Sequence, residues 1–187
     1  MKALLETCDL KRLVKATAKF ISQDENRRML RWIRLDFNKD TSTVKAVASD
    51  GWKMSIENAN CVSIDESFTV YIKPYLPVKV KDKYSTIELS DGKCFIDIGG
   101  SIAGYVQPKD EFMDYVKVIA DIETVPVVRE VYFSKALLVD ALNSLRQENY
   151  LPRLPVIMQL RDDYGAVSVK MGKSTGYVLP MKREWGR

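Results

Sequence analysis

The sequence predicts an α+β fold of antiparallel sheets with helices on one face, built from about three β-α-β-β-β units. Three observations carry this. Short runs of alternating apolar and polar residues, bounded by polar or glycine turns, mark strands with one buried face. Two stretches instead place apolar residues at i, i+3 and i+4, the spacing of an amphipathic helix. The order strand, helix, three strands then recurs along the chain, the mark of a supersecondary unit repeated around a shared core. With 187 residues, 46% hydrophobic and 29% charged, the chain suits one large or two small globular domains.

The first unit opens with a strand over Ala3–Thr7. Asp9 is placed to cap a helix over Leu10–Ile21, because a short acidic side chain can accept from the orphan N–H groups of a first turn. Leu10, Leu13, Val14, Phe20 and Ile21 form its buried stripe, and Lys11, Lys15 and Lys19 stack four apart on another side. Strands are expected at Leu30–Phe37, Thr43–Ala48 and Lys53–Asn58, with turns at Asn38-Lys39-Asp40 and Ser49-Asp50-Gly51. The second unit has strands Phe68–Ile72, Ser85–Leu89, Cys94–Ile98 and Ile102–Val106, with a short helix from Pro74 that Pro77 limits to a turn or two. The third has a strand at Glu130–Phe133, Ser134 as the cap of a helix over Lys135–Leu145, and strands Val156–Leu160, Ala166–Met171 and Gly176–Met181. Leu137, Leu138, Ala141, Leu142 and Leu145 form that helix's apolar stripe.

Several chemistries are excluded. There is no histidine, which removes Ser-His-Asp and Cys-His catalysis and every His-based metal site. Cys8, Cys61 and Cys94 are widely spaced and odd in number, so they read as buried free thiols rather than a disulfide framework or zinc site. Gly99-Gly100 and Gly104 are turn or bulge glycines, without the Lys-Ser/Thr that would open a phosphate-binding helix. Asp162-Asp163 and Asp110-Glu111 are loop charges with no third carboxylate converging on them. No cofactor and no metal is expected. The chain lacks an apolar run long enough to span a bilayer and has no signal-peptide pattern at its N-terminus, so a cytoplasmic protein without a membrane partner is expected.

Ser49-Asp50-Gly51-Trp52-Lys53-Met54-Ser55, Gln23-Asp24-Glu25-Asn26-Arg27, Glu111-Phe112-Met113-Asp114-Tyr115 and Tyr177-Val178-Leu179-Pro180-Met181-Lys182 together resemble the bacterial DNA polymerase III beta subunit, the sliding clamp. The resemblance covers nearly the whole chain and implies a DNA-clamp fold. It divides the chain into a complete clamp-like domain over 1–120, a connector over 121–128, and over 129–187 a half domain with a C-terminal tail. Met113 stands where the family usually has Pro, and Trp52 where a smaller or polar ring is common.

What the resemblance implies about function is specific. In the family a short peptide with a Gln and spaced apolar residues enters a pocket where the middle and last domains meet. Matching positions are Arg27, Ser49, Gly51, Trp52, Lys53 and Met54 on one wall, Met113, Lys117 and Val118 on the connector, and Ser168, Val178, Leu179, Pro180 and Met181 on the other wall. Such a set supplies an adaptable apolar floor with cationic donors at its rim. DNA contact is expected from Lys11, Lys15, Lys19, Lys73 and Lys79, acting on phosphates without reading bases. The implied partners are duplex DNA, a DNA polymerase subunit or other clamp-binding peptide, and further copies of the chain, since a half domain leaves strand edges that sheet proteins cover. Two functions stay open: a processivity factor that encircles DNA, and a non-encircling adaptor or competitor that binds clamp-binding peptides. The first draws on the lysine face of the first helix. The second draws on the acidic third helix, which carries Asp140, and on the missing half domain, whereas a net charge of +4 favours nucleic acid only mildly.

Overall fold

Strand β1 (Lys2–Glu6) is flanked on both sides, by β4 (Met54–Ile64) and by β6 (Tyr84–Ser90), and so joins two four-stranded halves into one sheet. The computed structural model describes residues 1–51, 53–76, 82–124, 132–144, 156–159, 167–171 and 174–178. They belong to two compact units, Met1–Tyr115 and Val116–Arg187.

In the first unit β2 (Ile33–Asn38), β3 (Thr43–Ser49), β5 (Phe68–Ile72), β7 (Lys93–Ile98) and β8 (Ser101–Val106) complete an antiparallel sheet of order β5-β2-β3-β4-β1-β6-β7-β8. Its inward side chains alternate as the sequence does: Ile33, Leu35 and Phe37 on β2, Phe68, Val70 and Ile72 on β5, and Cys94, Ile96 and Ile98 on β7 are all buried in one cluster. Phe37 stacks on its cross-strand partner Phe68 at 4.6 Å between ring centroids, the kind of pair that fixes register. Between Leu4 and Leu5 the register with β4 slips, from Ser63 to Cys61. Val62 is the extra residue of that bulge, which explains why two consecutive residues, Val62 and Ser63, are exposed between buried Cys61 and Ile64. Gly99 and Gly100, both at positive φ, form the tight β7–β8 turn that such residues favour, whereas Gly104 is a strand residue opposite Phe95.

Helix α1 (Thr7–Thr17) buries Leu10, Leu13 and Val14 against this core. Asp9 does not cap it. The helix starts earlier because tertiary partners serve its N-terminus: Thr7 N–H donates to the Lys83 carbonyl (2.9 Å) and the Thr7 hydroxyl pairs with Ser85 Oγ (2.7 Å). Asp9 instead lies within the first turn and pairs with Arg12 at 3.2 Å. The helix tightens into a 3-10 turn at Ala18–Phe20, and Phe20 and Ile21 pack onto the core beyond it. Residues 74–76 are not helical, and the rest of the helix expected from Pro74 lies outside the described residues.

Side chains bring the ends of the sheet together, Gln107 above all, with the Tyr105 hydroxyl on β8 also donating to the Tyr75 carbonyl beyond β5 at 2.9 Å. Gln107, just after β8, accepts from Tyr71 N–H on β5 (2.7 Å) and returns its amide N–H to the Tyr71 carbonyl (3.0 Å). The amide thus imitates a strand partner and satisfies both main-chain groups of an edge residue.

Helix α2 (Tyr115–Glu123) starts at the last residue of the first unit, and its remaining residues, in the second, occupy a segment expected to be a connector. Helix α3 (Lys135–Ser144) lies beside a three-stranded antiparallel sheet of order β11-β10-β9, formed by β9 (Ile157–Gln159), β10 (Val167–Met171) and β11 (Ser174–Val178). Val169 is its buried centre, with Phe133, Leu138, Ala141 and Met171 packed around it. Leu137 and Leu142, expected on the buried stripe, are exposed. Tyr132 and Phe133 are not in a strand, and the rest of the strand expected there lies outside the described residues.

Replacing Gln107 by Ala leaves the Tyr71 N–H and C=O without their partner. We expect a loss of about 1–3 kcal/mol in urea unfolding, the usual cost of an orphaned part-buried pair, together with faster amide exchange at Tyr71. Unchanged exchange at Tyr71 would exclude the clasp.

Candidate functional site

The loop between β3 and β4 is closed by its own polar groups. Ser49 is buried; its hydroxyl donates to the Lys53 carbonyl (3.0 Å) and accepts from Gly51 N–H (3.0 Å). Asp50 Oδ1 accepts from Lys53 N–H (3.0 Å) and Asp50 N–H donates to the Lys53 carbonyl (3.2 Å). Gly51 sits at φ +89°, a conformation side-chain-bearing residues rarely adopt. A Cβ there would also run into Arg27 Nη1 and come within 3.7 Å of Leu30 Cδ1. Arg27 reaches the loop from outside, donating through Nη1 to the Asp50 carbonyl at 2.7 Å. Lys53 is exposed, with Nζ over the Phe20 ring at 5.2 Å, and Met54, which opens β4 opposite Ser49, is half-buried. Arg27, Ser49, Gly51, Lys53 and Met54 are therefore gathered in one place. Trp52 lies outside the described residues.

Leu30, expected to open a strand, lies instead in a 3-10 turn, and that local geometry sets it beside Gly51. Arg28–Arg31 form a 3-10 turn that brings residues three apart onto the same edge. Arg27 and Leu30 share one edge, linked by Leu30 N–H to the Arg27 carbonyl at 3.0 Å. Met29 turns into the interior, and Arg28 and Arg31 share the third edge.

Phe112 and Tyr115 cover the outer face of β2 and its neighbours. Phe112 and Tyr115 are buried although the strand residues beneath them are polar. The reason is Asp36, which accepts from Arg34 Nε (2.8 Å), the Thr69 hydroxyl (2.6 Å) and the Tyr115 hydroxyl (2.8 Å). The Arg34 guanidinium lies 5.3 Å from the Tyr115 ring centre and 5.9 Å from that of Phe112, a cation held between two aromatic faces. Burial, reinforced by the hydrogen bond to Asp36, pushes the Tyr115 phenol up to about 12. Met113 is half-buried, and its carbonyl accepts from Tyr115 N–H (2.8 Å).

In the second unit Lys117 and Val118 lie on the exposed surface of α2. Ser168 is fully buried, and its hydroxyl donates to Gln159 Oε1 at 3.1 Å. Val178 pairs with Val167 at the end of β11; Leu179, Pro180 and Met181 lie outside the described residues.

Of the lysines expected to meet DNA, Lys15 and Lys19 are exposed and Lys11 is half-buried; with Cys8, Arg12 and Ala16 they line a shallow concavity of about 540 Å³ along α1. Lys73 differs: its Nζ stands 3.6 Å from the Trp32 ring centre and donates to the Arg31 carbonyl at 3.4 Å. Lys79 lies outside the described residues.

The thiols divide. Cys61 and Cys94 are buried, and burial pushes them up to about 11 and about 12. Cys8 is exposed, against expectation, because it sits on the solvent side of the first turn of α1. Among the described residues Glu6, Cys8 and Asp9 alone bring metal-capable atoms together, but the Cys8 thiol donates to Glu6, which raises its pKa, and Asp9 pairs with Arg12. Among the described residues no helix is long and apolar enough to cross a membrane.

No protein-family model matches the sequence, and no curated protein matches it either. Solved structures do. The DNA polymerase sliding clamp of Bacillus subtilis superposes with a TM-score of 0.77 at 13% identity, covering 96% of this chain and 49% of that one. The sliding clamp (DNA polymerase III subunit beta) of Bartonella birtlesii bound to griselimycin gives 0.74 at 17% identity, covering 97% and 52%. The Helicobacter pylori beta clamp bound to a DNA ligase peptide gives 0.64 at 19% identity, covering 90% and 48%. The chain thus has the DNA-clamp fold, and it spans about half the length of these clamps.

The raised Tyr115 pKa ties the stability of the fold to alkaline pH. Below pH 10 the phenol is protonated whether the chain is folded or not; between 10 and about 12 the unfolded chain loses the proton first, so stability falls with rising pH. Tyr115→Phe should flatten part of that alkaline decline in chemical denaturation. An equal slope in the variant would mean that the Asp36 clasp does not hold the phenol neutral.

Proposed function

We propose that the chain is a non-catalytic, sliding-clamp-like processivity factor that associates with duplex DNA as a homo-oligomer and recruits a DNA polymerase subunit or other partner carrying a clamp-binding peptide. The observation that carries this reading is the clamp fold followed by 96% of the chain. On that fold Ser49, Asp50, Gly51 and Lys53 are joined by hydrogen bonds within the β3–β4 loop, and the surface beside them offers what a short peptide needs. Leu30 and Met54 are apolar contacts, and Arg27 and Lys53 are donors at the rim. Lys15 and Lys19, with Lys11 beside them, give α1 a cationic side that can neutralise phosphates without selecting sequence. The Helicobacter pylori clamp, bound to a DNA ligase peptide, provides a precedent for peptide capture on this fold.

Two variants separate the two activities. Met181→Asp, at one of the family-matched pocket positions, should weaken a fluorescent clamp-binding peptide at least about tenfold, since a carboxylate in an apolar site must be desolvated. Undiminished affinity would remove Met181 from the site. Replacing Lys11, Lys15 and Lys19 by Glu should abolish DNA association and flatten its dependence on salt. Retention on DNA equal to wild type would mean that these lysines serve solubility alone. Light scattering with circular and linearised DNA tests assembly: an oligomer held on the circle and released by cutting supports encirclement, and a monomer that binds peptide but ignores DNA overturns it in favour of an adaptor.

A further inference from the structure

The edge of the 3-10 turn that faces away from Gly51 builds a second cationic feature, apart from α1. Arg28 and Arg31 lie three residues apart on this edge, and together with Trp32, Lys73 and Glu25 they line a cleft of about 410 Å³. Its charge is unbalanced: three cations face one carboxylate, and that carboxylate is a weak counterweight. Glu25 is 89% exposed and meets Arg31 only at 4.0 Å, a geometry worth little in water. No carboxylate among the described residues pairs with Arg28 or Lys73. Lys73 is held in place all the same, over the Trp32 ring at 3.6 Å and on the Arg31 carbonyl at 3.4 Å. Burial, and then the neighbouring Arg31 charge, lower its pKa. A part-buried ammonium crowded by a guanidinium is stabilised by an anion between them.

We infer that this cleft binds consecutive phosphates of a nucleic-acid strand. Two arginines on one edge of a turn give fork-shaped donors suited to phosphate oxygens, and Lys73 adds a fixed point charge from the adjoining strand end. Lys73 takes one face of Trp32, and Tyr105 meets the ring edge-on at 6.4 Å between centroids. The cleft therefore engages backbone rather than stacked bases and does not discriminate sequence. This rests on the reading that the chain meets nucleic acid, but the site and its residues are distinct from the lysine side of α1.

The test uses a short oligothymidylate, with Trp32 as the sole tryptophan, excited selectively over tyrosine, in a Trp52→Phe, Trp185→Phe background. Oligonucleotide should change Trp32 emission, because phosphates brought beside Lys73 alter the electric field at the indole that this ammonium covers. Arg28→Ala, Arg31→Ala and Lys73→Met combined should weaken binding at least about tenfold and lower the salt slope by about 2, since each phosphate contact on a single strand contributes about 0.7. Glu25→Gln, which removes the one opposing carboxylate and does not threaten folding, should tighten binding a few-fold. If neither set of changes alters affinity or slope, the inference is overturned. A Trp32 response to inorganic tripolyphosphate with none to oligonucleotide would also overturn it, assigning the cleft to a free polyphosphate. The variant with Glu at Lys11, Lys15 and Lys19 keeps the two readings apart: loss of duplex retention with the Trp32 response intact supports the cleft independently. Loss of the response in that variant would make the cleft a mere extension of the helix surface and refute a separate site.

Discussion

The first unit depends on the pairing of β1 with β4 on one side and β6 on the other. Among the described residues this five-residue strand is the only ladder linking the two halves of the sheet, and both its inward residues, Ala3 and Leu5, are buried. Its register also places the first helix. Glu6 lies opposite Tyr84, so the chain leaves the sheet beside the Lys83 carbonyl, which receives Thr7 N–H and starts α1. A one-residue slip would turn Ala3 and Leu5 outward and misplace the start of the helix. The bulge at Val62 lets β4 serve two partners in succession, β3 along its first part and β1 along its last. At the far end Gln107 completes the arrangement, so that the outermost strands, β5 and β8, are tied by a side chain where no ladder joins them.

Such a sheet holds its loops to fixed places, and function can be built on them. The turn at Arg28–Arg31 is short, but its three residues per turn sort side chains without ambiguity: one edge to the β3–β4 loop, one to the core, one to the Lys73 cleft. A peptide-binding surface and a phosphate-binding surface can thus share one piece of backbone while drawing on different residues. Arg27 contributes through its hydrogen bond to the Asp50 carbonyl, which fixes the loop against the turn. A residue at such a position acts by holding its neighbours as much as by touching a ligand.

Much of this was legible in the sequence, and what was not has a common cause. Most strands of the first unit emerged within a few residues because each buries one face, so alternation survives in the letters, and Phe68–Ile72 matches to the residue; β4 instead runs past Asn58, where it was expected to end, to Ile64, along the stretch that pairs with β1. The helix with Lys11, Lys15 and Lys19 and the gathering of Ser49, Gly51, Lys53 and Met54 were also legible, the latter through a family resemblance rather than through pattern. The misses all turn on distant partners. Asp9 has the right chemistry for a cap, but Lys83 and Ser85 reach Thr7 first. Leu30 reads as the start of a strand until the 3-10 turn sets it beside Gly51. Tyr115 and Phe112 suggested a connector, and nothing local reveals that Asp36, on a strand far back in the chain, anchors them. Gln107 gives no signal at all, since its role exists only once β5 and β8 are neighbours.

The distribution of charge separates the two cationic surfaces in kind. A net charge of +4 is too small to hold DNA as a diffuse field, so any phosphate contact must come from local groupings. Lys15 and Lys19 are exposed on a helix, where water screens them and salt competes readily; a surface of that sort suits a duplex that slides, because no position along it is preferred. Lys73 is the reverse. Part of its hydration has been exchanged for an indole face and one carbonyl, its charge is disfavoured by Arg31, and an anion brought into the cleft would offset both effects. An interaction of that kind is shorter in range, less easily screened and tied to one place. On the proposed reading the fold carries a loose grip and a fixed one in the same unit, the fixed one on another edge of the very turn that presents Arg27 and Leu30.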